Sequence, residues 1–146
     1  MSRVPAVDQT TRTFTEEAFV VFLRFVALLA LLEGLKYWVA LIGIVGHAPW
    51  RFDLMPVHWQ IAATSLAVLF PSAATGLWLT TSWGPVLWAV AAAGEVVMYT
   101  GYTLRFGHQP IILAAHAVIA LCYVGFRLAL VFERRRRVET VRPDLP

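Results

Sequence analysis

Three charged side chains stand near the middle of long apolar runs. Glu33 and Lys36 interrupt FVVFLRFVALLALLEGLKYWVALIGIV, and Glu95 interrupts GPVLWAVAAAGEVVMYTGYTL. Each run meets the ~20 residues that a helix needs to cross ~30 Å of hydrocarbon. An unpaired charge near the bilayer centre costs roughly 3 kcal/mol on insertion scales, so each of these groups must find a partner. Glu33 and Lys36 are three residues apart and share a helix face, which suits an ion pair. Glu95 lies at a similar depth in a span parallel to theirs. The formal charges of the three groups leave one negative charge in excess, to be met by a shared proton or by a cation from a partner helix. Glu33, Lys36 and Glu95 are therefore expected to form an intramembrane charge network, and proton or solute movement is its chemical extension.

Two further sets of residues could carry chemistry. Tyr99, Tyr102 and Phe106 continue the Glu95 face at helical spacing, and His116 and Tyr123 share a face in the last apolar run. They form either a proton path or, more simply, a polar stripe filling the interior of a helical bundle. His47, His58 and His108, with His116 and Asp53, fall toward one side of the membrane. Imidazole and carboxylate suit a zinc or copper ion, and histidines also serve as axial ligands to haem. No CxxC, P-loop, GxGxxG or HExxH pattern is present. No residue is assigned a catalytic role, no cofactor is expected, and the chain reads as a non-enzyme rather than an enzyme.

Placing these groups requires long apolar helices. With 59% hydrophobic and 14% charged residues and a mean hydropathy of +0.67, the chain departs from soluble domains, which carry about 25% charged residues. Four spans are predicted at about 18–45, 57–80, 85–105 and 110–132, flanked by tails at 1–17 and 133–146. The fold class is all-α, an integral membrane bundle of four transmembrane helices. Thr13 and Glu16 form a capping box for the first helix. Arg24, one turn inside the bilayer, snorkels toward the interface with Glu17 as its expected partner. The six Trp residues are expected as interfacial anchors at two levels. Pro71 should kink the second span, and Ser72 and Gly76 suit close helix packing. The SWGP turn at 82–85 makes spans two and three an antiparallel hairpin. Cys122 is the single cysteine, which leaves no disulfide framework.

Basic residues outside the spans concentrate in the tails: Arg3 and Arg12 at one end, Arg134, Arg135, Arg136, Arg137 and Arg142 at the other. The loops carry only Arg51 and Arg105. Excess Lys and Arg mark the cytoplasmic side, so both termini are expected in the cytoplasm. The arginine run beside the membrane suits anionic lipid headgroups, at about 1 kcal/mol for each residue. Nucleic-acid binding is not expected of so short a patch at a membrane surface.

The stretch RFDLMPVHWQIAATSLAVLFPSAATGLW, followed by SWGPVLWAVAAAGEVVMY, resembles a family of small four-span bacterial inner-membrane proteins of unknown function. The resemblance runs over about residues 20–130. It implies the topology above and a bacterial inner membrane, and it brings no activity with it. Small size and minimal soluble mass point to a non-catalytic role: an accessory, assembly or scaffolding subunit of a larger membrane complex, or a homo-oligomer, surrounded by membrane lipids. Two alternatives stand beside it. One is a haem- or metal-binding redox protein using the outer histidines, and the other is a small transporter or proton-conducting unit using Glu33, Lys36 and Glu95.

Overall fold

The computed structural model describes residues 13–44 and 51–140, with side chains through residue 136. Among the described residues the chain is all-helical: α1 (Phe14–Ile42), a 3-10 turn (Phe52–Leu54), α2 (Val57–Trp78), α3 (Trp83–Gly101), a short α4 (Thr103–Phe106) and α5 (Pro110–Thr140). The 29-residue α1, the 22-residue α2 and the Pro110–Arg136 part of α5 are long and apolar enough to cross a membrane. The 19-residue α3 is not among those three, because Glu95 and the residues with indole and hydrogen side chains around it lower its mean hydropathy. Large apolar side chains such as Leu32, Val68, Val97 and Leu121 are more than half exposed. Lipid, rather than water, suits so extensive an apolar surface.

The outward-facing hydroxyls are satisfied locally. Thr64, Ser72, Thr75 and Thr100 each donate to the carbonyl four residues back, at 2.8, 2.8, 2.9 and 2.6 Å. A hydroxyl that bonds its own helix can face hydrocarbon without an unmet polar group.

Local sequence sets the helix ends. The capping box forms as expected: Thr13 accepts from the Glu16 amide, and the Glu16 carboxylate accepts from the Thr13 amide. At the end of α2 the Thr81 amide donates to Gly76 O and the Thr80 amide to Leu77 O. This is a Schellman closure. It holds Thr80 at φ 53°, a left-handed conformation that is costly for a β-branched residue. The closure turns α3 straight back along α2.

Two close approaches build the core of α1, α2 and α3. Gly34 meets Pro71, where an added Cβ would lie 2.6 Å from Pro71 Cδ. Gly84 meets Gly76, where an added Cβ would lie 2.4 Å from a backbone carbon. Pro71 has no N–H for the Ala67 carbonyl one turn back. Trp38, one turn beyond Gly34 on the same face of α1, supplies the missing donor: its Nε1 donates to Ala67 O at 2.8 Å. The gap that proline leaves in one helix is thus filled by the helix packed against it.

α5 is attached differently. Only 6% of its most apolar 18-residue window is buried, against 44% for α2. Near its far end Thr15 Oγ1 donates to Glu133 Oε1 at 2.5 Å. Between that point and the bundle centre, Phe19 and Phe22 of α1 meet Tyr123 and Phe126 at centroid distances of 5.2–5.8 Å.

Candidate functional site

The centre of the bundle is a hydrogen-bonded chain through three helices. Glu95 of α3 is fully buried. The Tyr37 hydroxyl of α1 donates to Glu95 Oε1 at 2.5 Å, and His116 Nε2 of α5 lies 2.7 Å from Glu95 Oε2. That separation is a hydrogen bond, with the proton supplied by whichever of the carboxyl and the imidazole carries it. The surround is aromatic. Phe70 lies parallel to the Tyr37 ring at 6.2 Å and to the His116 ring at 6.3 Å, and Trp88 meets His116 edge-on at 5.9 Å. Tyr99, one turn beyond Glu95, is buried beside the Tyr37 hydroxyl. In such a water-poor interior a hydrogen bond is electrostatically stronger than in water. Here such bonds join helices that share little other surface.

Glu33 and Lys36 form the ion pair expected of their spacing. It is about one-third exposed on the α1 surface, and Lys36 Nζ also lies 5.0 Å above the Tyr37 ring. Glu95 is not bonded to this pair: its partners are Tyr37 and His116. The charge at the centre therefore divides into a surface pair and a buried clasp, in contact through the Tyr37 ring.

The aromatic and histidine sets also separate. α3 ends at Gly101, so Tyr102 is 54% exposed and leaves the Glu95 face. Tyr123 packs on Phe19. His58 meets Phe106 edge-on at 5.1 Å and lies 3.4 Å from Arg105 O, to which Trp59 Nε1 also donates at 3.3 Å. His108 is exposed on the loop after α4, and Asp53 pairs with Arg51 at 2.8 Å. His47 lies outside the described residues. Among the described residues, no three His, Cys, Asp or Glu side chains gather as a metal site would require. Arg134, Arg135 and Arg136 are exposed along the end of α5, where the helix continues eight residues past the expected boundary at 132; the side chain of Arg137 is not described.

One expected partner and one expected anchor are corrected. Arg24 lies 5.7 Å from the centre of the Trp78 ring, so an aromatic face on α2 takes the place given to Glu17. Trp88 is buried against His116 rather than set at the surface as an anchor; Trp38 is 45% exposed and donates its indole N–H to Ala67 O.

Tyr37 was not expected in the site, yet a signal for it exists. It follows Val26, Ala27, Ala30 and Gly34 on one buried face of α1. A hydroxyl on so small and apolar a face must reach an acceptor inside the bundle.

The sequence profile of DUF6163, a family of unknown function, matches residues 17–134. The chain belongs to that family. No curated protein and no solved structure matches it. In this DUF6163 protein the matched segment holds the whole Tyr37–Glu95–His116 clasp and both close approaches of glycine.

Proposed function

We propose that this chain is a four-span protein of the bacterial inner membrane, with both termini in the cytoplasm, serving as a non-catalytic accessory or scaffolding subunit of a larger membrane complex. The fourth span is α3. Its 19 residues reach about 28 Å at 1.5 Å per residue, and the hairpin with α2 returns it across the same thickness. Its polar Glu95 points inward, while Val86, Val90 and Val97 are more than half exposed. Four spans place both tails on one side, and the arginine excess of the tails supports the cytoplasmic side.

The observation that carries the subunit reading is the nearly bare flank of α5, with 6% of its most apolar window buried. The clasp at the centre engages its ionisable groups within the chain. The helix best placed to meet a neighbour keeps most of its apolar surface for that use. Close packing and interhelical hydrogen bonds, rather than hydrophobicity alone, drive such association in lipid.

Purification in mild detergent from native membranes, with identification of co-purifying chains, tests this. Stoichiometric membrane partners are expected; a lone homogeneous chain overturns the subunit reading. A reporter fused after Pro146 should be active in the cytoplasm, and periplasmic activity overturns the topology.

A second reading, a proton-conducting unit, is favoured by the continuous Tyr37–Glu95–His116 chain of hydrogen bonds. It requires that Glu95→Gln abolish proton flux in vesicles while the fold persists.

A further inference from the structure

A partly enclosed cavity of about 240 Å³ opens between α1 and α5. All four long helices contribute to it. Phe70 and Trp88 supply aromatic walls, Ala115 and Ile111 line the α5 side, and Glu33 and His116 are its ionisable groups. Both groups have unfinished business. His116 is about nine-tenths buried, and its Nδ1 has no hydrogen-bond partner among the described residues. Lys36 Nζ pairs with Glu33 Oε2, a buried oxygen that has no hydrogen-bond partner of regular geometry among the described residues. An ion pair one-third exposed at this depth in hydrocarbon is costly unless something polar covers it.

We propose that this cavity binds a neutral, membrane-dissolved molecule whose head is a single ring bearing hydroxyl or carbonyl oxygens, the chemical class of the quinols and quinones. Four features select that class. The opening lies between two apolar helices, with Ile111 81% exposed at its edge, so the ligand arrives from lipid. The volume falls below the ~300–1,000 Å³ of pockets for drug-sized ligands, which suits one ring with its tail left in the bilayer. Aromatic walls favour a planar ring, stacked or edge-on. Glu33 and His116 bring hydrogen-bonding atoms to the cavity wall, where a neutral head with oxygen substituents can meet them. A ring hydroxyl can donate to the Glu33 carboxylate, and a second ring oxygen would sit on the His116 side. The proposal concerns binding alone and does not rest on partner proteins.

The test uses the full chain in phosphatidylcholine nanodiscs, titrated with decylubiquinol and decylubiquinone and followed by tryptophan fluorescence. Saturable binding at one site per chain is expected, without competition from tetraphenylphosphonium. Ala115→Leu fills the cavity from an exposed position on α5 without replacing a side chain of the clasp, and should weaken binding by about tenfold or more. Leu29→Phe fills it from the α1 wall and guards against a folding defect in the first variant. Both variants should keep the helical circular dichroism of the parent. Non-saturable partitioning, binding indifferent to both variants, or displacement by tetraphenylphosphonium would each overturn the proposal.

Discussion

The α1–α2–α3 unit and α5 are held by different means. The three helices close on one another through backbone. Gly34 admits the Pro71 ring, Gly84 admits the Gly76 backbone, and Trp38 caps the carbonyl that proline leaves open. α5 instead hangs from point contacts: His116 on Glu95 at the centre, Thr15 with Glu133 at one end, and a few aromatic rings between. In lipid, apolar surface gains little by leaving one hydrocarbon environment for another, so steric fit and hydrogen bonds decide which helices stay together. The difference shows that one unit is fixed by shape and the other by polar side chains.

Substitutions can break this contrast in order of size. Gly34→Leu forces a side chain into the Pro71 ring and should cost about 3 kcal/mol, read as loss of folded protein in a detergent unfolding titration. Glu95→Gln keeps the volume but removes the carboxyl group that bonds both Tyr37 and His116. It should cost about 2 kcal/mol, and the loss should appear in α5 before the other helices, as enhanced proteolysis within 110–136. Trp38→Phe leaves the Ala67 carbonyl open and should cost about 1 kcal/mol, a smaller fall in Tm with α5 still attached. Thr80→Gly has the opposite sign. Relief of left-handed strain, about 1–2 kcal/mol, outweighs the entropy that glycine adds to the unfolded chain, about 0.5–1 kcal/mol, and Tm should rise slightly. If Gly34→Leu and Glu95→Gln release the same helices, the division into two units fails.

The parts of the fold legible in the sequence are those set by neighbours along the chain. TFTE reads as a capping box because it depends on a few consecutive residues. The Glu33–Lys36 pair is legible for the same reason, its partners being one helical turn apart. SWGP, expected as the turn at 82–85, instead opens α3 from Trp83, and the chain reverses just before it, over residues 79–82. The partners of Glu95 are not local. Tyr37 lies 58 residues away and His116 lies 21, and only the rotation of α1 and α5 against α3 decides that they meet it. The expectation that Glu95 joins Glu33 and Lys36 used depth alone. Rotation about the helix axis assigns the partners. Arg24 teaches the same lesson, since a carboxylate two turns back on its own helix lost to an aromatic ring on the next one.

The central claim is that Glu95 holds α5 to the rest of the bundle through His116. Cys122, the single cysteine, is exposed on α5 and offers a direct reporter. A nitroxide attached there, in lipid bilayers, should show restricted motion in the parent chain. It should show clearly faster motion in Glu95→Gln, while the near-ultraviolet circular dichroism contributed by α1, α2 and α3 is retained. Unchanged nitroxide motion in a variant whose Glu95 carboxylate has been removed would contradict the account.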